Sequence, residues 1–379
     1  MHTPDNIFEL IADLKKTNTP STQYRNIINS FLEMKARREG IPLHGVLELT
    51  PLCNLDCKMC YVHLNETEFN PRALLAVETW KDIVNQAREL GLLRVTLTGG
   101  ECLTYPFFDE LYLHLYERGI RIGLLSNGLL MDAERIRFLK RYRPSSINIS
   151  LYGSNEEEYY SVTGHRVYKR IYDNICLLRD EELPVSLTIT PNEFMGEHFR
   201  ELLETAESLA VPFHINSALM KPRHNTGREK HDLSDEQYIK LYRVLNELRH
   251  NELTPVDSID IPDAFWDNSH QIDRGTRCGA GRSSFTIQYD GSMTPCAGLY
   301  EQVTKPLVVG FKNAWKSLNE VANNYIMPID CVKCIYRTQC LVCPAMHKEA
   351  PVGHCDTRIC DRTKKMVKAG LLSIPHIKE

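Results

Sequence analysis

From residue 44 to about residue 220, short apolar runs alternate with segments of helical periodicity. The apolar runs have the length of strands, and the segments between them repeat apolar residues every three or four positions. The predicted strands are Val46–Thr50, Leu93–Thr98, Ile120–Ser126, Ser146–Leu151, Val185–Thr190 and Pro212–Asn216. The predicted helices are Thr79–Leu90, Phe107–Glu117, Asp132–Arg141, Tyr168–Leu178 and His198–Leu209. Strand–helix units in this succession predict an α/β fold with a parallel sheet, which right-handed crossovers curl into a partial (βα)6 TIM-like barrel.

The regions on either side of this barrel have different patterns. Residues 1–43 are predicted to form an N-terminal helical segment that packs against the barrel; a peptide-binding helical module would need about twice this length. Its apolar positions are Ile7, Leu10, Ile11, Leu14, Ile27, Ile28, Phe31 and Met34. A polar stretch with Pro and Gly opens residues 221–273, interpreted as a linker with a bridging helix, and residues 274–379 are predicted to be a separate cysteine-rich domain.

Two helix starts carry capping signals. Ser154 is followed three residues later by Glu157, and Ser234 by Gln237. A serine hydroxyl with an acidic or amide side chain three positions on can satisfy the first free N–H groups of a helix reciprocally. The second pair predicts a helix that continues to about Arg249.

Composition describes an ordinary globular protein, with 42% apolar and 25% charged residues. A net charge of −4 gives no electrostatic case for binding nucleic acid or an anionic membrane. We find no signal-peptide pattern and no apolar run of about 18 residues that predicts a membrane span. The protein is therefore expected to be cytoplasmic, and its 13 cysteines to serve metal binding or catalysis rather than disulfides.

Directly after the first predicted strand, three cysteines follow one another at CxxxCxxC spacing: Cys53, Cys57 and Cys60. Ligand sites in barrels of this kind lie at the carboxyl ends of the strands, where this loop falls. Thiolates hold iron–sulfur clusters, and three of them on a [4Fe–4S] cubane leave the fourth iron open for a small molecule. The spacing alone also allows a zinc site or a chance grouping of buried cysteines.

A second motif, Gly99-Gly100-Glu101, follows the second predicted strand. Paired glycines let the backbone approach a ligand closely, and carboxylate or carbonyl oxygens accept hydrogen bonds from an ammonium group. Together the two motifs resemble the signature of the radical S-adenosylmethionine (SAM) enzymes. The resemblance implies a [4Fe–4S] cluster on the three cysteines, whose open iron chelates the amino and carboxylate groups of SAM. It also implies that the Gly-Gly-Glu motif binds the SAM amino group.

The same resemblance implies further contacts to SAM at the ends of the later strands. It assigns polar contacts to Ser126, Asn127 and Ser150. It assigns adenine contacts to Met59 and Tyr61, on either side of the third cysteine, although the residue before that cysteine is often aromatic in the family.

Other chemically active side chains are interpreted as structural or solvated. Cys102 stands where many family members have proline and is expected to be a buried structural cysteine. Arg166 is expected to lie at the surface. The histidines His214, His224 and His231 are more simply explained by a solvated basic loop than by a metal site.

The C-terminal region concentrates eight cysteines in a regular pattern that includes Gly-x4-Cys and CxxCxxxxxCxxC. They are Cys278, Cys296, Cys331, Cys334, Cys340, Cys343, Cys355 and Cys360. Eight thiolates suffice for two [4Fe–4S] clusters, and a zinc ribbon built from the CxxCxxxxxCxxC run is the alternative. The pattern resembles the SPASM extension of radical SAM enzymes that modify peptides, which implies two auxiliary clusters.

The resemblance divides these cysteines between a distal and a nearer auxiliary cluster. The distal set is Cys331, Cys334, Cys340 and Cys360, and the nearer set is Cys278, Cys296 and Cys343. The chain departs from the family pattern because it has CxxC where CxxxC is usual and no cysteine between Cys278 and Cys296. The fourth ligand of the nearer cluster is therefore either Cys355 or a substrate thiolate on an open iron.

The implied function is radical chemistry on a peptide. The resemblance implies that one electron from the reduced cluster cleaves SAM to methionine and a 5′-deoxyadenosyl radical, which abstracts hydrogen from the substrate. We predict a maturase of a ribosomally made peptide that installs a thioether or carbon–carbon crosslink, supplied with electrons by a flavodoxin- or ferredoxin-like donor. The alternatives are a formylglycine-generating sulfatase maturase, a peptide epimerase, and a cluster-bearing redox or binding protein without turnover.

Overall fold

The structure is a computed structural model. It describes residues 21–372 apart from 65–68, 71–73, 217–218, 224–230, 250–277, 327, 333, 337–338, 341–342 and 347–352. The helical prediction for residues 1–20 and most of the linker at 221–273 lie outside the described residues.

A single eight-stranded sheet organises the described part of the chain. Its strands are β1 (His44–Glu48), β2 (Arg94–Thr98), β3 (Arg121–Ser126), β4 (Ser146–Leu151), β5 (Val185–Ile189), β6 (Phe213–Ile215), β7 (Ser284–Ile287) and β8 (Met293–Thr294). The strand order is β6-β5-β4-β3-β2-β1-β7-β8. Strands β1 to β6 are parallel to their neighbours, which confirms the predicted α/β barrel core.

The described residues also form twelve helices. They are α1 (Ser21–Glu39), α2 (Val77–Glu89), α3 (Phe108–Glu117), α4 (Ala133–Arg141), α5 (Glu156–Thr163), α6 (Tyr168–Asp180), α7 (Phe199–Ser208), α8 (Asp235–Leu248), α9 (Pro306–Val309), α10 (Phe311–Asn323), α11 (Ile329–Val332) and α12 (Thr357–Lys368). Fully buried aromatic side chains such as Trp80, Tyr112 and Tyr159 fill the layer between helices and strands.

Alternation along the strands gives the sheet two different faces. In β5, Val185, Leu187 and Ile189 are buried against the helices, while Ser186 and Thr188 are partly exposed on the other face. Successive side chains of a strand point to opposite faces, so the polar residues of β5 line the inner face of the curled sheet. This face is open to a ligand, and its polarity bears on what can bind there.

One of the two predicted caps is confirmed. Ser234 and Gln237 form a complete capping box at the start of α8. The prediction for Ser154 was wrong, because the N-cap of α5 is Asn155, whose side chain accepts from the N–H groups of Glu157 and Glu158. The Ser154 hydroxyl donates instead to the Glu158 carboxylate at 2.9 Å. Asn at the position after serine is an equally good cap, so the helix begins one residue later than predicted.

The first strands of the C-terminal region extend the barrel sheet. Strand β7 runs parallel to β1, with His44 opposite Ser284 and Leu47 opposite Ile287, and β8 pairs antiparallel with β7. The predicted boundary at residue 274 therefore separates strands that one sheet joins.

Helix α1 is joined to the same region. The Ser283 hydroxyl donates to the carboxylate of Glu33, and the Trp315 indole N–H donates to the Gly40 carbonyl at 2.6 Å. Residues before β1 and residues far after it thus pack at the amino end of β1, the end opposite the cysteine loop.

Candidate active site

The three-cysteine loop leaves the carboxyl end of β1 and is fixed to the end of α5 by its backbone. The N–H groups of Asp56 and Lys58 donate to the carbonyls of Thr163 and Val162, each at 3.0 Å. These two bonds hold the middle of the loop in place and do not involve its thiols.

Several N–H groups point at the thiol sulfurs. Backbone N–H of Leu55 lies 3.4 Å from Cys53 Sγ, and backbone N–H of His63 lies 3.3 Å from Cys60 Sγ. The side-chain amide of Asn127 lies 3.5 Å from Cys53 Sγ. Donors of this kind favour sulfur that carries negative charge, as ligating thiolates do.

Burial makes these thiols hard to ionise on their own. It is the main cause that raises the pKa of Cys53 to about 12, with the nearby Glu101 carboxylate and Cys60 adding to it. Burial, followed by Cys60 and Cys53, also raises the pKa of Cys57. Cys57 is buried and Cys53 and Cys60 are partly buried, and thiols in such surroundings ionise together only where a positively charged group compensates their charge.

The Gly-Gly-Glu segment packs directly against the backbone that leads into the cysteine loop. Gly100 N–H donates to the Thr50 carbonyl at 2.7 Å, and Glu101 N–H donates to the Leu52 carbonyl at 2.9 Å. A Cβ on Gly99 would lie 2.4 Å from the Thr50 carbonyl oxygen, and a Cβ on Gly100 would lie 2.3 Å from that of Leu52. Only glycine fits at either position, since real Cβ contacts are never this short.

The carboxylate of Glu101 is buried and joins two strand ends. It accepts from Asn127 N–H at 2.8 Å, from the Ser126 hydroxyl at 3.0 Å and from Leu103 N–H at 3.1 Å. Burial raises the pKa of Glu101, and these donors act in the opposite direction. The structure thus brings the predicted residues Glu101, Ser126 and Asn127 together and uses the carboxylate to fix the end of β3 beside the loop.

The C-terminal cysteines separate into two groups. Five of them line one cavity of about 220 Å³: Cys331, Cys334, Cys340, Cys355 and Cys360. Within it, Cys355 Sγ and Cys360 Sγ are 3.2 Å apart. Cys355 therefore lies with the set assigned to the distal cluster.

The remaining three cysteines form the second group. After burial, the neighbours that raise the pKa of Cys296 are Cys343 and Cys278, and Cys278 likewise raises the pKa of Cys343. This is the set that the resemblance assigned to the nearer cluster. Cys343 does not line the five-cysteine cavity, although it follows Cys340 in the CxxCxxxxxCxxC run.

A single metal ion fits none of these groups. Among the described residues, no three His, Cys, Asp or Glu side chains are arranged to hold one ion.

Comparison with known proteins identifies the barrel. Residues 47–209 match the family model of the radical SAM superfamily. This part of the chain is a radical SAM domain. The match includes the three-cysteine loop and the Gly-Gly-Glu motif, and a [4Fe–4S] cluster and SAM are the cofactors that this superfamily uses.

Two curated relatives come from Bacillus subtilis. The chain is 27% identical over 270 residues to the antilisterial bacteriocin subtilosin biosynthesis protein AlbA, covering 68% of this chain and 55% of that protein. It is 26% identical over 258 residues to the sporulation killing factor maturation protein SkfB, covering 68% and 60%. The chain thus spans little more than half the length of these relatives.

Solved structures share the fold. Streptococcus suis SuiB bound to S-adenosylmethionine superimposes with a TM-score of 0.65 at 16% identity, covering 93% of this chain and 88% of that one. Native anSMEcpe with bound AdoMet gives a TM-score of 0.64 at 16% identity, covering 87% and 97%.

The cysteine loop of the radical SAM domain has the chemistry that a [4Fe–4S] cluster needs. Cys53, Cys57 and Cys60 supply three thiols at a strand end. The amide Nδ2 of Asn54 is buried and has no hydrogen-bond partner among the described residues. Buried donors are almost always paired, and a cluster sulfide beside Cys53 is an acceptor that would satisfy this one.

Tyr152 is a site residue that sequence reasoning missed. Its buried hydroxyl is hydrogen-bonded to Cys57 and also to the predicted SAM contact Ser150. Burial, followed by the nearby Cys57, raises the pKa of Tyr152, so its hydroxyl stays protonated and can donate to the sulfur. Its place just after β4 was the available signal, since loops at the carboxyl ends of barrel strands carry function.

The two residues predicted to contact adenine have different surroundings. The Met59 side chain is buried in the hydrophobic core, which leaves only its backbone for a ligand. Tyr61 lies under the guanidinium of Arg223, 5.0 Å from the ring centroid, and its carbonyl accepts from Arg223 N–H at 3.0 Å. Their contacts to SAM remain predictions.

Cys102 and Arg166 take the structural roles expected of them, whereas His214 lies on strand β6 and not in the predicted basic loop. Cys102 is buried and its thiol donates to the Leu125 carbonyl at 3.4 Å, while Arg166 is exposed and pairs with Glu157. His214 is hydrogen-bonded to Thr188, and His231 to Glu193; His224 lies outside the described residues. No helix within the described residues is long and apolar enough to span a bilayer.

Proposed function

We propose that the protein is a radical SAM maturase that forms a thioether or carbon–carbon crosslink in a ribosomally made peptide. AlbA is named for the biosynthesis of the bacteriocin subtilosin, and SkfB for the maturation of the sporulation killing factor. The PqqA peptide cyclase of Streptomyces rochei is a third relative, 24% identical over 286 residues. The structure of SuiB bound to its precursor peptide SuiA has the same fold, with a TM-score of 0.63 at 17% identity.

One observation carries the proposal beyond the radical SAM domain. A second group of cysteines stands close to the mouth of the barrel. The guanidinium of Arg223 lies 5.0 Å from the ring centroid of Tyr61, the residue after Cys60, and donates to the carbonyl of Ala297, the residue after Cys296, at 3.0 Å. Crosslinking leaves one electron to be removed after hydrogen abstraction. A cluster at Cys278, Cys296 and Cys343 is suitably close to accept that electron or to hold a substrate thiolate.

The inner face of the sheet supports a peptide as the substrate. Ser186 and Thr188 of β5 hydrogen-bond to Asn148 of β4, at 3.1 and 2.6 Å, and Thr188 hydrogen-bonds to His214 of β6 at 2.9 Å. This polar track is partly exposed. Hydroxyl, amide and imidazole groups in a row offer donors and acceptors to peptide N–H and C=O groups.

The bound cofactors supply a carbon radical by one-electron cleavage of the SAM sulfonium. The chain's own residues position that chemistry. Glu101 fixes the end of β3 through Asn127, Tyr152 donates to Cys57, and the two glycines keep the cysteine loop against β2. The SAM contacts assigned to Gly99, Gly100, Ser126 and Ser150 are part of the proposal.

Two auxiliary clusters complete the proposal. The five-cysteine cavity offers one thiol more than a [4Fe–4S] cluster needs, and the group of Cys278, Cys296 and Cys343 offers one fewer. We assign the distal cluster to Cys331, Cys334, Cys340 and Cys360. The nearer cluster then has an iron free for a substrate thiolate, and a flavodoxin- or ferredoxin-like donor supplies the electrons.

The test is turnover with peptides under anaerobic conditions. Protein reconstituted with iron and sulfide is incubated with SAM, dithionite and cysteine-containing synthetic peptides in deuterated water, and products are read by mass spectrometry. Loss of two hydrogens is expected for a crosslink. Gain of one solvent deuterium would instead indicate epimerisation, and conversion of cysteine to formylglycine would indicate sulfatase maturation.

A matched variant tests the cluster assignment. Cys57→Ala is expected to form no 5′-deoxyadenosine, whereas Cys176→Ala, a cysteine of α6 outside the three groups, is expected to form it at the wild-type rate. Retention of 5′-deoxyadenosine formation by Cys57→Ala would reject the central role of the loop.

A further inference from the structure

Glu48 and Arg223 form a buried ion pair beside the cysteine loop. Two guanidinium nitrogens of Arg223 lie 2.5 and 2.7 Å from the two carboxylate oxygens of Glu48. The side chains are 3% exposed for Arg223 and 1% for Glu48. The two residues are 175 positions apart in the chain, so the pair fixes a tertiary arrangement.

Arg223 contacts both groups of cysteines through their neighbours. Its backbone N–H donates to the Tyr61 carbonyl at 3.0 Å, next to Cys60. Its guanidinium donates to the Ala297 carbonyl at 3.0 Å, next to Cys296. Arg223 thus bridges the loop of the radical SAM domain, through its backbone, and the segment that follows Cys296, through its side chain.

Side chains packed around Arg223 also join the barrel mouth to the segment after Cys296. The guanidinium lies 5.0 Å from the ring centre of Tyr61 and 5.8 Å from that of Tyr300. A Cβ on Gly298 would come within 3.5 Å of the Met220 side chain and 2.7 Å of Ala345. The segment of Met220 and Arg223 therefore lies between the barrel mouth and residues 297–300.

Stability alone is a weak reason for this arrangement. A buried ion pair gains little over apolar side chains of the same volume, because both charges lose their hydration. Arg223 also keeps its Nε buried with no hydrogen-bond partner among the described residues. What the pair does supply is geometry, since a planar guanidinium donating to a carboxylate and a carbonyl permits one orientation.

We propose that Arg223 and Glu48 are positioning residues that hold the Cys296 segment against the Cys60 loop and so set the distance between the two cysteine groups. The inference rests on the proposed function, in which the second group accepts the electron or holds the substrate thiolate. A displacement of about 1 Å in a reacting group can cost about a hundredfold in rate. Loss of the Glu48–Arg223 ion pair is therefore expected to reduce peptide modification while SAM cleavage continues.

The test uses the reconstituted holoenzyme and three variants. Arg223→Met alone leaves Glu48 buried and unpaired, and it can fail to fold. The double variant Glu48→Leu/Arg223→Met removes both charges at similar volume and keeps the fold. Arg223→Lys keeps a charge for Glu48 but lacks the fork that also reaches Ala297. Arg362→Met, which breaks the ion pair of Arg362 with Asp235, is the control.

Two measurements are expected to change. Amides of residues 297–300 exchange with deuterated water about tenfold faster in the double variant and in Arg223→Lys than in the wild type. Peptide product per 5′-deoxyadenosine falls about tenfold in both variants, while 5′-deoxyadenosine formation without peptide and iron content stay at wild-type levels. The Arg362→Met control leaves the exchange at 297–300 and the product ratio unchanged.

Each contrary result overturns the proposal in a different way. Wild-type rates of amide hydrogen exchange at residues 297–300 in the double variant would show that the ion pair does not hold this segment in place. A full rescue of the product ratio by Arg223→Lys would show that charge compensation, a structural role, is its whole contribution. Hydrogen exchange needs no substrate, so it tests the positioning role of the ion pair even if the wild type modifies none of the peptides. Failure of the wild type to modify any peptide would reject the proposed function alone.

Discussion

The contact between the Gly-Gly-Glu motif and the cysteine loop allows a sharp test with one methyl group. Gly100→Ala places a Cβ 2.3 Å from the Leu52 carbonyl oxygen. Gly100 does not have a left-handed φ, so the perturbation is purely steric. The atom that must move is a backbone oxygen directly before Cys53, and no flexible side chain can absorb the clash.

The size of the movement follows from the contact distance. A carbon and a carbonyl oxygen approach to about 3.3 Å, so relief of the clash requires a shift of roughly 1 Å. Overpacking of this kind costs about 1–3 kcal/mol. Because a 1 Å misplacement at a reacting centre can cost about a hundredfold, we expect SAM cleavage to fall about a hundredfold in Gly100→Ala.

Gly119→Ala is the matched control. Gly119 has a φ of +68° and no atom within 4 Å of an added Cβ. It therefore carries the conformational cost of a left-handed alanine, about 1–2 kcal/mol, without a clash. Gly119 precedes the amino end of β3, whereas the site lies at the carboxyl end of that strand. Thermal unfolding measures the stability of both variants, and 5′-deoxyadenosine formed per bound iron measures the site.

The expected result is a pair of variants with similar losses of stability and different losses of activity. Gly119→Ala keeps wild-type cleavage per bound iron, whereas Gly100→Ala loses it. Wild-type iron content together with wild-type SAM cleavage in Gly100→Ala would refute the argument that the glycine is required for close backbone packing.

Three further changes test other parts of the site. Tyr152→Phe removes the hydroxyl bonded to Cys57. This hydrogen bond stabilises the reduced, more negative state of the loop's cluster by about 1 kcal/mol, so its loss is expected to lower the midpoint potential by about 40 mV. A spectroscopic redox titration measures the shift. Cys360→Ala is expected to lose about four irons per chain and Cys355→Ala none, because the distal cluster needs only one thiol of the pair Cys355 and Cys360. Iron analysis of the two variants measures this. Asp235→Asn is expected to lower the free energy of unfolding by about 1 kcal/mol at pH 7, measured by urea unfolding.

The sign of the pH effect follows from the pKa of Asp235. Burial raises that pKa, but hydrogen bonds from Lys365 and Arg362 outweigh it and hold it below its usual 3.8. The stabilisation is therefore present above pH 3.8 and is lost as pH falls through the lower, folded-state pKa. The difference between Asp235→Asn and wild type should disappear in acid, and a difference independent of pH would contradict the ionic origin.

Controls accompany the other two changes. Tyr112→Phe removes a buried hydroxyl bonded to the Tyr142 carbonyl and should leave the potential unchanged. Loss of iron from Cys355→Ala and not from Cys360→Ala would exchange their roles, and retention by both variants would show that neither thiol is needed for a distal cluster.

The sequence predicted the barrel well because its signals are local. Strand β4 was predicted with its observed bounds, since alternating burial along Ser146–Leu151 follows directly from alternating residue type. Strand β7, four residues long, carries no such pattern and owes its place to pairing with β1 across a long stretch of sequence. Short strands fixed by distant partners have no signature of their own.

The candidate site likewise has features that the local sequence predicts and features that only the tertiary structure shows. Cysteine spacing and the Gly-Gly-Glu motif are local and could be recognised. The pair of Glu48 and Arg223 could not, because nothing near either residue distinguishes it from a solvated charge. The grouping of Cys355 with Cys360 also depended on tertiary structure, since spacing allowed it to join either set.

The place of β7 in the sheet has a consequence for how the protein is made. During synthesis β1 gains its neighbour β2 early, but its other edge stays open until residues 284–287 have left the ribosome. An open edge of this kind invites pairing with another chain. A chain ended after residue 220 is therefore expected to self-associate through β1, which size-exclusion chromatography would detect, and a monomer would show that the edge is protected in another way. The C-terminal region thus supplies, late in synthesis, the strand that covers the open edge of β1, which leads into the cysteine loop.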